Sequence, residues 1–331
     1  MRNPLRRLSR PVARLRRLNR RVKNAVVVGL TQGAVWLLGR LSLDDALRLG
    51  EWVGARLYVC LPRTRRLMRE HLSLVFGRTL SPAARDHLAR AAFVNMARCF
   101  CELAKIDAIR ERRDTYFAVD GWEHAERLLA NGTGAVIVTG HIGNWELLAA
   151  CFAWKGLPVA AFARRLYATR LNDVMIEFRR RQGIETIIRE SPHSSRQIVR
   201  VLNSNALLAM PIDRDPHALS VSVPFFRRSA RTPVGAAALA IRRNLPAAAV
   251  FIQRRPDGGH RIAIHPPFDV QRSGDTQADI RALTRQFNAA LEAQINNNPA
   301  EWVWGHGRWR RPPQPHLDLD GVFQYTLKTP L

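Results

Sequence analysis

From about residue 123 onward, short apolar runs alternate with segments of helical periodicity, and this alternation limits the folds open to the chain. The apolar runs have the length of buried strands, and Ala135–Thr139 reads Ala-Val-Ile-Val-Thr. The segments between them carry apolar residues at helical spacing, as in residues 144–154. Strands that alternate with helices form a sheet covered by helices. We therefore predict an α/β fold with a mixed sheet flanked by helices.

The predicted elements follow one another without a repeat or a long linker, so we expect one α/β domain over residues 63–331. Ser81 and Pro82 suit the N-cap and first turn of its first long helix. The predicted strands are 135–139, 158–163, 185–188, 206–212, 247–253 and 260–265, and the predicted helices are 81–106, 123–130, 144–154, 169–182, 195–203, 233–243 and 276–296.

Residues 1–62 differ in character from the rest of the chain. Residues 1–23 carry ten basic side chains and no acidic one, and residues 24–39 carry no charge at all. Sixteen helical residues span about 24 Å, less than the roughly 30 Å hydrocarbon core of a bilayer. Residues 44–61 follow with an amphipathic helical rhythm. We predict a basic arm and membrane-associated helices that lie in the interface or form a hairpin, and we reject a cleaved signal peptide.

The charge of the whole chain requires an acidic partner, since 52 lysine and arginine residues against 27 acidic ones give a net charge of +25. Anionic membranes, acidic substrates and nucleic acids all satisfy that requirement. No zinc-finger, RNP-like or helix-turn-helix pattern supports nucleic acid. A basic membrane- or nucleic-acid-binding protein without catalytic activity remains the alternative from another class. The four cysteines form no disulfide pattern, which fits a reducing compartment.

The first predicted strand runs into Gly140-His141-Ile142-Gly143-Asn144-Trp145-Glu146, where a histidine precedes a carboxylate by five residues. A histidine near its usual pKa is a usable base at neutral pH, and a carboxylate on one ring nitrogen fixes its tautomer. His141 and Glu146 are therefore candidates for a base and its partner. Gly143 permits close approach to the backbone, and the N–H groups of the turn at Asn144 could hold an oxyanion.

No nucleophile accompanies this pair, because a Gly-x-Ser-x-Gly motif is absent. A base of this kind would activate a hydroxyl that belongs to the substrate. We expect no metal, because no His-Glu-x-x-His motif or His/Asp cluster offers three ligands at the usual spacing. We also expect no cofactor.

The segment Thr-Gly-His-Ile-Gly-Asn-Trp-Glu resembles the H-x4-D/E motif of the lipid A biosynthesis lauroyl/myristoyl acyltransferase family, within the lysophospholipid acyltransferase superfamily. Further segments are similar to other blocks of that family and extend the resemblance over nearly the whole chain. They are 71–76, 121–123, 164–165 with Asn172, 178–183, 211–215, 223–226, 230–233 and 302–309. In the last block, Trp304, His306 and Trp309 are interpreted as packing or interfacial aromatics.

The resemblance implies roles for individual residues. His141 would be the general base on the acceptor hydroxyl, and Glu146 its partner. Arg164 and Arg179 would contact phosphates, while Asp213 and Asp215 would position arginines or sugar hydroxyls.

The resemblance also implies an activity and a location. The enzyme would transfer a fatty acyl chain from acyl carrier protein or acyl-CoA to a hydroxyl of a lipid A precursor, without a covalent enzyme intermediate. A lysophospholipid, an aminolipid or another glycolipid is the alternative acceptor. The partners would be the donor, the membrane glycolipid and the anionic inner leaflet, with no nucleic acid. The expected location is the cytoplasmic face of the cell inner membrane.

Overall fold

The computed structural model describes residues 25–166, 168–214, 219–310 and 312. The predicted basic arm and Asp215 lie outside the described residues. The helices are α1 (25–39), α2 (Leu43–Cys60), α3 (Pro62–Phe76), α4 (Pro82–Ala104), α5 (Ile106–Glu111), α6 (Arg113–Tyr116), α7 (Trp122–Leu129), α8 (Trp145–Trp154), α9 (Thr169–Arg181), α10 (Ser194–Asn203), α11 (Gly235–Arg242) and α12 (Thr276–Asn297). The strands are β1 (Phe117–Asp120), β2 (Ala135–Thr139), β3 (Val159–Ala163), β4 (Ile184–Ile188), β5 (Leu207–Pro211), β6 (Ser220–Phe225), β7 (Arg228–Pro233), β8 (Ala247–Arg254) and β9 (His260–Ile264).

Seven strands form one sheet in the order β1-β9-β8-β2-β5-β3-β4. Strands β8, β2, β5, β3 and β4 are parallel, whereas β9 runs antiparallel to β8 and parallel to β1. The prediction of an α/β fold with a mixed sheet flanked by helices is confirmed. Strands β6 and β7 form a separate antiparallel hairpin, which the sequence analysis did not predict.

The sheet separates two apolar cores, and β2 shows how. Side chains alternate between the two faces of a strand. Val136 and Val138 pack in the core that contains Leu291 of α12, while Ile137 packs in the core that contains Leu147 of α8. All five residues of β2 are buried. This is why the strand reads as a continuous apolar run, as buried parallel strands do.

The N-terminal helices include the segment predicted to associate with a membrane. Helix α2 packs closely on α4, because a Cβ atom on Gly54 would lie 2.6 Å from the Cα of Val94. Its other side exposes Trp52, Leu57 and Val59. None of the described helices is both long and apolar enough to cross a bilayer. The domain boundary at residue 62 stays a prediction, and so does association with the membrane.

Candidate active site

His141 follows the end of β2, at the carboxyl edge of the sheet. Strands β2 and β5 are parallel neighbours, and Thr139 is aligned with Pro211. His141 and Asp213 each stand two residues beyond that aligned pair. The register therefore places the imidazole and the carboxyl side by side, although 72 positions separate them in the sequence.

Asp213 binds both the ring and the backbone of His141. Its Oδ1 lies 2.7 Å from the ring Nδ1, and its Oδ2 accepts the backbone N–H of His141 at 2.7 Å. Trp302 donates its indole N–H to the same Oδ2 at 2.9 Å. Because an ionised carboxylate can only accept hydrogen bonds, the ring proton lies on Nδ1. The Nε2 atom of His141 therefore keeps its lone pair and can accept a proton.

Asp213 stays ionised although its side chain is completely buried. Desolvation alone raises the pKa of a carboxyl group, but the charge and the hydrogen bonds of His141 outweigh it and hold the pKa of Asp213 well below its usual range. The carboxyl is thus ionised at neutral pH. A buried carboxylate bonded to Nδ1 favours the protonated ring that forms when Nε2 takes up a proton.

Glu146 is not the hydrogen-bond partner of His141, so the predicted pairing of these two residues is wrong. Arg179 binds both oxygens of Glu146, with Nε at 2.8 Å from Oε2 and Nη2 at 2.6 Å from Oε1. The two side chains are 14% and 8% exposed. Glu146 lies in the first turn of α8 and faces α9, whereas the loop after β5 supplies the carboxylate that reaches the ring. Arg179 was expected to contact phosphate, and here it holds Glu146.

Two aromatic rings enclose the imidazole of His141. The rings of Trp145 and His306 both lie 4.7 Å from it, centroid to centroid, in edge-to-face geometry. Burial and the charge that His141 carries when protonated lower the pKa of His306 to about 3, which keeps that ring neutral near pH 7. The C-terminal aromatic block thus contributes a second imidazole to the site. His306 was the residue in that block that could have indicated a second imidazole, but the sequence analysis interpreted it as a packing or interfacial aromatic.

The C-terminal block also pairs with the backbone that carries His141. The backbone N–H of Val303 donates to the carbonyl of His141 at 3.0 Å, and that of Gly143 donates to the carbonyl of Glu301 at 3.1 Å. Ile142 and Trp302 form an isolated antiparallel bridge. Residues 301–303 therefore hold the loop that carries His141 in place.

Gly143 and Asn144 shape this loop, and the structure does not support their predicted binding of substrate. Gly143 has φ of 57°, and a Cβ atom there would lie 2.2 Å from the carbonyl oxygen of Ile252. Only glycine fits that position. Asn144 is the N-cap of α8: its Oδ1 accepts the N–H of Leu147 at 3.4 Å, and its Nδ2 donates to Glu102 at 2.9 Å. Both ends of its buried amide are occupied by protein.

A cavity of about 1610 Å³ opens beside His141. Its walls include the apolar side chains Phe100, Leu103, Leu202 and Leu239. Nine arginines and four acidic residues also line it, so its charged lining is net positive. The cavity therefore suits a ligand that combines long hydrocarbon with negative charge.

Arg164 lies in the wall of this cavity, where its Nε is 3.9 Å from Oε1 of Glu190. Its predicted contact with phosphate stays a prediction. Ligand-type atoms of His141, Asp213 and His306 lie within 4.8 Å of one another, and these are the described residues that could hold a metal ion. Spacing along the chain could not show this group, because three separate segments supply it.

The chain matches known proteins over most of its length. The model of the bacterial lipid A biosynthesis acyltransferase family matches residues 16–311. The chain is similar to a phosphatidylinositol mannoside acyltransferase of Mycobacterium tuberculosis strain H37Rv, with 28% identity over 83% of this chain and 86% of the relative. It is also similar to the phosphatidylinositol mannoside acyltransferase of Mycolicibacterium smegmatis, with 27% identity over 86% of this chain and 91% of the relative. The chain thus belongs to the lipid A biosynthesis acyltransferase family and is an acyltransferase.

Proposed function

We propose that this acyltransferase moves a fatty acyl chain from a thioester donor to a hydroxyl group of a phosphate-bearing membrane glycolipid. The observation that carries the proposal is the 2.7 Å contact between His141 Nδ1 and the buried Asp213 carboxylate, at the wall of a cavity with apolar and basic lining. That contact leaves Nε2 as a base. The lining suits the hydrocarbon and phosphate groups of both substrates.

The reaction needs a single proton shuttle. The acceptor oxygen attacks the carbonyl carbon of the thioester while Nε2 of His141 takes the hydroxyl proton. The tetrahedral intermediate then collapses, the C–S bond breaks, and Nε2 returns the proton to the leaving sulfur. The products are an ester and a free thiol, and no enzyme-bound acyl group forms. Base catalysis of this kind contributes about 10²- to 10⁴-fold, and alignment of the two substrates supplies much of the rest.

Two classes of glycolipid are candidates for the acceptor. The family name favours a lipid A precursor, and the relatives favour a phosphatidylinositol mannoside. Both present sugar hydroxyls beside phosphate, so the positive charge of the cavity suits either. The donor is acyl carrier protein or acyl-CoA, since both deliver the acyl chain as a thioester on a phosphopantetheine arm.

We also propose that the enzyme works on the cytoplasmic face of the inner membrane, against anionic lipid. Four exposed apolar residues line the cavity as well, namely Val35, Phe100, Leu166 and Val174. A cavity with an apolar rim can receive lipid from a bilayer without moving hydrocarbon through water. Basic residues near an anionic surface add about 1 kcal/mol each, and the chain has a net charge of +25.

The test is an acyl-transfer assay of the full chain with each combination of donor and acceptor. Acyl carrier protein and CoA thioesters are offered with a lipid A precursor or a phosphatidylinositol mannoside in detergent, and mass spectrometry identifies the products. We expect an acylated glycolipid and free thiol with at least one combination. His141→Ala is expected to reduce turnover at least about 10²-fold. Free fatty acid as the only product in every combination would contradict the proposal.

A further inference from the structure

The site of the base combines three side chains that bind transition metals well. His141 and His306 present imidazoles, and Asp213 presents a carboxylate that is fully buried and ionised. One ligand-type atom from each lies within 4.8 Å of the other two. The buried Nδ1 of His306 has no hydrogen-bond partner among the described residues. An imidazole that has a buried, unpartnered nitrogen and a ring nitrogen close to two other ligand-type groups is the observation that points to a bound ion.

We propose that His141, Asp213 and His306 form an inhibitory Zn²⁺ site, with the fourth coordination position open to the cavity. Zinc accepts imidazole and carboxylate ligands at about 2.0 to 2.2 Å in tetrahedral geometry, and sites with three protein ligands keep one open position. Both His141 and His306 line the cavity, so an ion can reach them from it.

Zinc at this site would block the base whichever nitrogen of His141 it binds. An ion on Nε2 occupies the lone pair that accepts the hydroxyl proton. An ion on Nδ1 displaces the proton there, so that a neutral ring must carry its proton on Nε2 and cannot accept another. The inhibition rests on the proposed function, whereas the binding of zinc does not.

The arginines of the cavity oppose a cation, and Arg214 lies near enough to His306 to lower its pKa. The affinity of this site therefore has to come from the three ligands themselves and not from long-range attraction. This makes the site sensitive to loss of one ligand. Removal of a group that only orients a ligand already costs about 10- to 100-fold in affinity, so removal of a ligand should cost at least about tenfold.

The test measures zinc binding directly, by titration calorimetry of the EDTA-treated full chain with ZnCl₂. Cys60 is an exposed thiol and a competing ligand, so all proteins carry Cys60→Ser. We expect one zinc ion per chain and an affinity at least about tenfold weaker in His306→Gln. His193→Gln is the matched control, since His193 is exposed and lies outside the cavity lining. It should bind zinc like the parent.

Two further readouts keep the proposal testable if His306→Gln folds poorly. Cobalt(II) added to the parent should give the visible absorption of a tetrahedral ion, and zinc should inhibit acyl transfer until EDTA is added. The absence of zinc binding in the parent, an unchanged affinity in His306→Gln or the spectrum of octahedral cobalt would each overturn the site. If the chain binds zinc but transfers no acyl group, the proposed function fails and the metal site stands.

Discussion

At the scale of single residues, two carboxylates lie near His141 and have different tasks. Asp213 bonds to the ring, while Glu146 forms a two-point ion pair with Arg179. A carboxylate on Nδ1 sets the tautomer and stabilises the protonated ring. Asp213 is therefore the orienting acid of the proposed base, and Glu146 shapes the wall of the cavity.

Asp213→Asn separates the charge of this group from its shape. The amide keeps the volume but removes the negative charge, and it can donate a proton to the ring and reverse the tautomer. We expect kcat to fall by at least about 10²-fold, with little change in KM. Steady-state kinetics over a range of acceptor concentrations measure this. Asp120→Asn, which alters an exposed ion pair with Arg261, should leave kcat unchanged. A wild-type kcat in Asp213→Asn would refute its orienting role.

The pair of Glu146 and Arg179 should show its effect mainly in stability. Removing one partner of a buried ion pair leaves an uncompensated charge and costs about 3 to 5 kcal/mol. Glu146→Gln and Arg179→Met should therefore each lower the free energy of unfolding, and the double variant should lose less than the sum of the two. Denaturant unfolding of all four proteins completes the cycle. Additive losses would show that the two side chains do not stabilise each other.

Sequence alone selected His141 as the proposed base but did not select Asp213, the carboxylate that bonds to its ring. Glu146 was chosen because it is close in sequence, whereas Asp213 reaches the ring through the alignment of Thr139 with Pro211 in neighbouring strands. Both strands were predicted, at 135–139 and 206–212, but their adjacency was not. Long-range strand order depends on packing of the whole sheet, which the local pattern of one strand does not encode.

At the scale of elements, the parallel strands β2, β3, β4, β5 and β8 were readily predicted, whereas β1 and the β6–β7 hairpin were not. Continuous apolar runs marked the buried strands, as in β2. The hairpin turns at Phe226 and Arg227, which have φ of 51° and 58°. Two-residue turns with both φ values positive favour Asn and Gly, and neither residue occurs at this turn. The usual sequence signal of a hairpin is therefore missing, although the backbone adopts that conformation.

The close packing of α2 on α4 predicts that a side chain at Gly54 destabilises the fold. A side chain at Gly54 would overlap the backbone of Val94 at 2.6 Å, and overpacking costs about 1 to 3 kcal/mol. Gly54→Ala should lower the free energy of unfolding by that amount. Gly29→Ala is the matched control on α1, where a Cβ atom meets nothing within 4 Å and alanine favours the helix. Chemical denaturation measures the free energy of unfolding of both variants and of the wild type. Equal stability of Gly54→Ala and wild type would contradict close packing of the two helices.

At the scale of the whole molecule, the chain combines a net charge of +25 with large exposed apolar side chains on its first two described helices. Helix α1 exposes Val26, Leu30 and Trp36, and α2 exposes Trp52 and Val59. Arg40 stacks on Trp36 with its guanidinium carbon 3.9 Å from the ring centre. Mixed arginine and tryptophan surfaces of this kind suit the boundary between lipid headgroups and hydrocarbon.

Vesicle binding by the full chain tests this arrangement. We expect the chain to bind phosphatidylglycerol vesicles more tightly than phosphatidylcholine vesicles. Binding to phosphatidylglycerol should weaken as salt rises from about 0.1 to 1 M, because the Debye length falls from about 10 to 3 Å. Replacing Leu30 and Trp36 with serine should weaken vesicle binding at least about tenfold, since two exposed apolar groups no longer leave water. Leu74→Ser removes an exposed apolar residue of α3, outside α1 and α2, and should bind normally. An equal loss of vesicle binding in the α1 double variant and in Leu74→Ser would show that α1 does not contact the bilayer. Binding that does not change with salt concentration would exclude an electrostatic contribution.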